Sequence, residues 1–164
     1  MTTKDNLEEA FAGESQANRK YLAFAEKADK EGYKQVAKLF RAAAAAETVH
    51  ALNHFRVMGG VGSTTDNLKF AILGETNEFR EMYPKFIEEA KKEGASDAAI
   101  LTFDVANQVE KIHAGLYQKV LGSLGNNEDV DYYVCQVCGN TVEKSAPDKC
   151  PICNAPKKMF KKVE

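Results

Sequence analysis

Four stretches of the chain alternate apolar and polar residues in steps of three and four, the spacing that lays one apolar stripe along a helix. The first is predicted from about Thr3 to Lys30, ending at Gly32, and the second from about Tyr33 to Met58, ending at Gly59-Gly60. The third begins near Asp66, an N-cap candidate, and runs to Glu93 before Gly94. The fourth follows another N-cap candidate, Ser96, and reaches about Leu121 before Gly122. Pro84 falls inside the third stretch, where its missing N–H predicts a kink or a lost hydrogen bond. After the polar linker Gly122 to Asp131 the period changes, and Tyr132-Tyr133-Val134 reads as a short strand among cysteines and turn residues. The expected fold is mainly α: a four-helix bundle over residues 1–131, with 122–131 as linker, then a module over residues 132–164. Such a module is too small to fold on a hydrophobic core alone.

The stripes themselves carry ionisable side chains. Through the second helix the steps select Phe40, Ala43, Glu47, His50, His54 and Val57. Through the fourth they select Phe103, Ala106, Glu110, His113, Tyr117 and Val120, each offset by 63 residues. "GESQANR" (Gly13 to Arg19) is answered by "GETNEFR" (Gly74 to Arg80), and the stripes of the first and third helices read Leu7, Phe11, Glu14, Tyr21 and Leu68, Ile72, Glu75, Met82. The chain therefore reads as two copies of a helical hairpin, each supplying one Glu and one Glu-x-x-His. A lone Glu-x-x-His is ordinarily a solvated surface pair. Here it recurs on apolar stripes, with a partner Glu on each preceding helix. Buried unpaired, each carboxylate would cost roughly several kcal/mol. Two Glu plus two Glu-x-x-His in a bundle core is the donor set of the di-iron and di-manganese carboxylate proteins.

The third helix breaks the symmetry. Glu78, one turn after Glu75, stands where the first helix has Ala17. Two Fe(II) are balanced by Glu14, Glu47, Glu75 and Glu110, leaving room for neutral His50, whereas two Fe(III) favour the extra carboxylate of Glu78. This charge balance predicts that one iron exchanges Glu78 for His50 on reduction. His54, whose counterpart is Tyr117, reads as a hydrogen-bonded core residue rather than a ligand.

Charge and cysteine content refine the picture. The net charge of −2 divides into −5 over residues 1–131 and +3 over residues 132–164, and argues against a general nucleic-acid or anionic-lipid binder. No run of eighteen apolar residues is present, so no membrane span is expected, and Met1 to Asn6 leads into no secretory-type apolar run. A cytoplasmic protein is the expectation. All four cysteines lie in the last segment, as "CQVC" (Cys135, Cys138) and "CPIC" (Cys150, Cys153), a C-x2-C-x11-C-x2-C spacing that fits one tetrahedral site for zinc or a single iron. Gly139 and Asn154 follow the pairs, where turns would aim backbone N–H groups at sulfur. Beside a di-metal redox site, iron is the better fit, with zinc able to replace it in recombinant material.

With these residues in view, the chain resembles the rubrerythrin family across nearly its whole length. The resemblance is carried by "EEAFAGESQANRKYLAFAEKA", "AAETVHALNHF", "GETNEFREMYP", "VEKIHAGLY" and "YVCQVCGNTVEKSAPDKCPICNAPKKMF". It implies a ferritin-like bundle with a non-haem di-iron centre held by Glu14, Glu47, Glu75, Glu78, Glu110 and His113, His50 replacing Glu78 in the reduced state. It also implies a rubredoxin-like domain holding one iron on Cys135, Cys138, Cys150 and Cys153. Tyr21 and Tyr83, about two turns beyond Glu14 and Glu75, would line the pocket and assist proton delivery; without the resemblance they read equally well as core aromatics. The implied activity is reduction of hydrogen peroxide to water in oxidative-stress defence, with electrons relayed through the four-cysteine iron from a donor such as a rubredoxin or a reductase. The alternative is a ferritin-like ferroxidase or a dioxygen-using di-iron oxidase. A third class, a binding protein whose zinc ribbon meets a partner through Lys157, Lys158, Lys161 and Lys162, leaves the helical donor set unused.

Connectivity adds one more expectation. A ferritin-like order needs parallel second and third helices, so their connection must retrace a helix roughly 37 Å long. Gly59 to Thr65 reaches roughly 24 Å. Either the bundle is a plain up-down-up-down arrangement, or the two helical hairpins are exchanged between protomers. The short-connector rubrerythrins that the chain resembles imply the second, a domain-swapped homodimer with each di-iron site built from two chains.

Overall fold

The computed structural model describes residues 2–164, and these are mainly helical: four long helical stretches paired as two hairpins, followed by a three-stranded sheet that carries the cysteines. Two compact units emerge, one ending at Gly62 and one running Ser63–Glu164. No helix among the described residues is long and apolar enough to cross a membrane.

The first unit is the hairpin of α1 (Thr3–Lys30) and α2 (Lys34–Val57). A capping box starts α1: the Thr2 hydroxyl accepts the Asp5 N–H at 3.2 Å while the Asp5 carboxylate accepts the Thr2 N–H at 2.6 Å. Gly32, at φ +86°, makes the turn between the helices. The residues buried between them are all alanines, Ala25 and Ala28 on α1 and Ala37, Ala44 and Ala51 on α2. Side chains this small let the two backbones approach closely. Asn18 can then reach across from α1, donating from Nδ2 to the Ala44 carbonyl at 2.7 Å and to Thr48 Oγ1 at 2.8 Å. The member of the alanine run that fills the contact is Ala44, 1% exposed, whereas Ala43 is only half-buried. Phe11 and Phe55 stack at 4.9 Å toward the other end of the hairpin.

The second unit opens with α3 (Thr64–Asn77), capped by Ser63 rather than by Asp66. The Ser63 hydroxyl accepts the Asp66 N–H at 3.2 Å, so Asp66 sits inside the first turn, where its charge suits the helix dipole. A π-helical turn, Glu78–Met82, follows, then α4 (Tyr83–Lys92) and the antiparallel α5 (Asp97–Gly122), capped by Ser96 as expected. Pro84 occupies the first turn of α4. The irregularity expected at Pro84 is therefore resolved by the wider π turn just before it.

That π turn holds one extra residue relative to α1. Glu75 follows Glu14 by 61 positions, but Tyr83 follows Tyr21, and Phe86 follows Phe24, by 62. The aromatic clusters confirm the correspondence. Tyr21 lies 6.4 Å from Phe24 and 6.2 Å from Phe40, and Tyr83 lies 6.3 Å from Phe86 and 6.4 Å from Phe103. The constant-offset pairing of Tyr21 with Met82 is thus corrected to Tyr21 with Tyr83.

In the cysteine module, β1 (Tyr132–Cys135) is central and pairs antiparallel with β2 (Thr141–Glu143) and β3 (Phe160–Lys162). Its small core consists of Cys135, Cys150 and Ala155, with Met159 and Phe160 packed against them.

The alanine contact makes a testable statement about the first hairpin. Ala44→Leu is expected to destabilise the protein by about 1–3 kcal/mol through overpacking, and Ala45→Leu, on the exposed side, by much less. Urea midpoints of the two variants measure the difference, and equal effects would contradict the packing described.

Candidate metal centres

Three groups of metal-ligating side chains converge among the described residues, each with its donor atoms within 4.8 Å of one another: Glu14, Glu47 and His50; Glu75, Glu110 and His113; and the four cysteines. The first two are the duplicated sets expected from the stripes. In each, helical periodicity puts Glu and His one turn apart on one face, and the preceding helix of the same hairpin brings up the second carboxylate.

In the first unit, His50 Nδ1 lies 2.9 Å from Glu47 Oε2 and 3.9 Å from Glu14 Oε1. In the second unit, His113 Nδ1 lies 2.7 Å from Glu110 Oε2 and 3.8 Å from Glu75 Oε2. The copies differ in setting: the His50 side chain is 54% exposed and that of His113 is 26%. His113 also meets the cysteine module, its Nε2 standing 2.9 Å from Thr141 Oγ1.

Carboxylates crowd the second group. Burial, followed by a shared hydrogen bond and like-charge repulsion from Glu110 and then Glu78, raises Glu75 from its ordinary 4.5 to about 7. Glu78, on the π turn, is raised by burial and then by Glu110. Its carboxylate is not among the three donors that converge, yet it is near enough for Glu110 and His113 to act on it. Tyr83 belongs to the same neighbourhood: burial, then Glu78, Glu110 and Glu75, push its phenol up, so it holds its proton. Tyr21 packs against Phe24 and Phe40. His54 is half-buried on α2 and lies outside the donor groups. A cavity of about 400 Å³ opens onto Glu75 and His113, walled by Leu68, Tyr117, Tyr132 and Thr141.

The cysteine site is built with local two-fold likeness. Cys135 N–H donates to the Asn140 carbonyl at 2.9 Å, and Cys150 N–H to the Ala155 carbonyl at 2.8 Å. Gly139 and Asn154 adopt positive φ, +81° and +60°, which turns the chain so that the next N–H groups, of Asn140 and Ala155, meet the sulfurs of Cys138 and Cys153. Sulfur separations are 3.7 Å for Cys135–Cys153 and 3.5 Å for Cys138–Cys150. A tetrahedron with metal–sulfur bonds of about 2.3 Å has edges of about 3.8 Å, so the four sulfurs fit one such ion. Burial opposes ionisation of Cys150, but N–H groups of Cys153 and Ile152 and the neighbouring thiols bring it down to about 7. Burial holds Cys138 and Cys153 above the usual thiol range. Asn140, 1% exposed, adds an Nδ2 contact to Cys150 Sγ at 3.6 Å. Asn140, Thr141 and Asn18 lie on no apolar stripe and in no recognisable ligand spacing, so nothing in the sequence singles them out.

Comparison with known proteins agrees with both parts of the chain. The rubrerythrin family profile matches residues 5–121, and that of the rubredoxin-like domain of rubrerythrin matches residues 133–161. The chain is 39% identical over 175 residues to Rubrerythrin-2 of Clostridium acetobutylicum, covering 96% of this chain and 95% of that protein. It is 35% identical to nigerythrin of Nitratidesulfovibrio vulgaris, covering 97% of this chain and 85% of that one. The solved nigerythrin structures include a mixed-valence state, similar at a TM-score of 0.59 and 34% identity, and a fully reduced, all-ferrous state at 0.60 and 33%. Each covers 99% of this chain and 87% of the nigerythrin chain.

The raised Glu75 predicts a pH dependence for the metal-free protein. Between 4.5 and about 7 the folded chain holds a proton there that the unfolded chain has released. The resulting stabilisation is complete below the unfolded value and is lost as pH rises through about 7. Wild-type protein should therefore lose stability relative to Glu75→Gln between about pH 5 and pH 8, read from urea midpoints; parallel profiles would refute the assignment.

Proposed function

The chain belongs to the rubrerythrin family, and we propose that it is a non-haem di-iron peroxide reductase that converts hydrogen peroxide to water. The observation that carries this reading is the coexistence, in one chain, of two carboxylate–histidine groups and a four-thiol cluster. A storage or ferroxidase role has no use for a dedicated electron-entry site, whereas peroxide reduction has. The proposed ligands are Glu14, Glu47, His50, Glu75, Glu78, Glu110 and His113 for the metal pair, and Cys135, Cys138, Cys150 and Cys153 for the single iron. When bound, the iron pair supplies the two electrons that peroxide reduction needs, and the thiolate iron supplies them one at a time. That nigerythrin, a relative, has been solved in mixed-valence and all-ferrous states supports iron in this role.

The remaining chemistry falls to side chains. Glu47 and Glu110 hold the centre of the donor set, each one helical turn before its histidine. Glu75 and Glu110 stand close enough to share a proton until a cation replaces it. Tyr83, kept protonated by burial and three surrounding carboxylates, serves as a hydrogen-bond and proton donor, not as a base. The greater exposure of His50 and the π-turn location of Glu78 support the exchange of these two ligands between redox states.

Two partners complete the proposal. The excess of lysine in residues 132–164 suits an acidic electron donor such as a rubredoxin or a reductase. A second copy of the chain is the other. The 24 residues of α2 span roughly 36 Å, while the six residues between α2 and α3 reach roughly 21 Å. A ferritin-like arrangement with this connector calls for hairpins exchanged between protomers, so that Glu14, Glu47 and His50 of one chain meet Glu75, Glu110 and His113 of another.

Stopped-flow mixing of the reduced, iron-loaded protein with peroxide and with dioxygen tests the activity. Peroxide should oxidise it faster by at least about tenfold, about 1.4 kcal/mol in barrier; faster reaction with dioxygen would favour an oxidase. Glu78→Ala should leave the reduced centre nearly unaltered and impair the oxidised one, as read from the iron absorption of each state; equal damage to both would argue against ligand exchange. A dilute sample that is monomeric with its iron pair intact would sink the exchanged dimer.

A further inference from the structure

The contact between His113 and the cysteine module has a consequence for metal binding. Residues two apart on a strand face the same side, and β2 turns Thr141 and Glu143 toward α5. Thr141 Oγ1 meets His113 Nε2 at 2.9 Å, and Glu143 Oε2 meets Lys119 Nζ at 2.6 Å. The module and α5 belong to one compact unit, and Gly139 packs near Val109, where an added Cβ would lie 3.8 Å from Val109 Cγ1. Thr141 thus reaches a histidine of the carboxylate group from a strand that begins three residues after Cys138.

A hydroxyl has one proton to give. Thr141 Oγ1 lies 3.2 Å from the Gly139 carbonyl, which can only accept, so the hydroxyl proton is directed there. Toward His113, Oγ1 is left as an acceptor, and the Nε2 nitrogen must be the one that carries the imidazole proton. In the neutral ring Nδ1 is then a bare lone pair, and it points at Glu110 Oε2, 2.7 Å away. Two lone pairs at that distance repel unless a cation or a proton lies between them. A cation receives both as ligands.

We propose that Thr141 is a positioning residue of the carboxylate–histidine site: by accepting the Nε2 proton of His113 it fixes the tautomer and ring orientation that present Nδ1 to the metal, so that docking of the cysteine module completes the site on α5. The inference rests on the metal-site reading of Glu75, Glu110 and His113 and is independent of peroxide as substrate. One hydrogen bond joins His113 to Thr141 of the cysteine module, and a second, within the module, continues from Thr141 to the carbonyl of the residue after Cys138. A bond of this kind to a ligating histidine typically changes metal affinity by about 10–100-fold.

The test uses the full chain, its cysteine site filled, in wild-type, Thr141→Val and Thr141→Ser forms. Nitrogen-15 histidine NMR of protein free of metal at the carboxylates, with the His113 signals assigned by their loss in His113→Gln, reads the tautomer. Cobalt(II) titration, followed by its visible absorption, reads the affinity. Wild-type and Thr141→Ser should show His113 protonated at Nε2 and bind cobalt alike. Thr141→Val should lose the preference for a proton on Nε2 and bind about 10–100-fold more weakly, with the thiolate-metal absorption unchanged. If Thr141→Val keeps both tautomer and affinity, or if Thr141→Ser fails to restore them, the proposal is overturned. Neither readout involves peroxide, so a chain that passes both and does not reduce peroxide refutes the proposed reaction alone.

Discussion

Carboxylates of like charge held together on apolar helix faces are the constraint on which the other features depend. Glu75, Glu78 and Glu110 come from two antiparallel helical stretches of one unit, and their mutual repulsion, added to burial, is what lifts Glu75 to about 7. Such a group is poorly tolerated without a compensating charge. A divalent cation turns the same geometry from repulsive to attractive, so the features that make the metal-free site unfavourable are those that make it a ligand set. The packing around the first set is arranged accordingly. Ala25, Ala37 and Ala44 bring the helices of the first hairpin close together, and the acidic side chains then sit side by side without bulky neighbours between them.

Much of this was legible in the sequence, because helical periodicity is a strong constraint on which residues share a face. Steps of three and four picked out Glu14, Glu47, Glu75 and Glu110 with both histidines, and the structure brings them together as two groups of three. What periodicity misses is an insertion inside a helix. The extra residue of the π turn leaves an apolar pattern intact on either side of it, so a constant offset pairs Tyr21 with Met82 when the aromatic contacts pair it with Tyr83. The insertion and the fifth carboxylate coincide: Glu78 is the first residue of the π turn, and α1, which has Ala17 there, is regular throughout. The unequal number of carboxylates in the two halves thus has an unequal backbone beneath it.

The cysteine module divides in the same way. Its spacing was readable because four sulfurs can surround one ion only if each pair is carried on a tight turn, and the positive φ of Gly139 and Asn154 is how the turns close. The contacts of Asn140 and Thr141 were not readable. Thr141 and His113 are 28 residues apart, on a strand and a helix whose separate patterns contain no trace of their meeting. The same holds for Asn18, whose role depends on how closely α1 and α2 approach and not on anything local to it.

Two polar contacts hold the module's β2 strand to α5, and they differ in what they can do. The ion pair of Lys119 with Glu143 has a lysine side chain that is 54% exposed, so solvent and salt weaken it. It favours association without fixing orientation, since an ammonium group accepts a carboxylate from many directions. The bond between His113 and Thr141 is partly buried and joins two groups with defined donor and acceptor directions. It holds the imidazole ring in one plane and the module in one register on the helix. Opposite net charges on residues 1–131 and 132–164 bias the two parts toward each other, but long-range attraction cannot set an ångström-scale geometry. The directional bond can, which is why the one residue of β2 that reaches the histidine has more bearing on the metal site than the charge of the whole module.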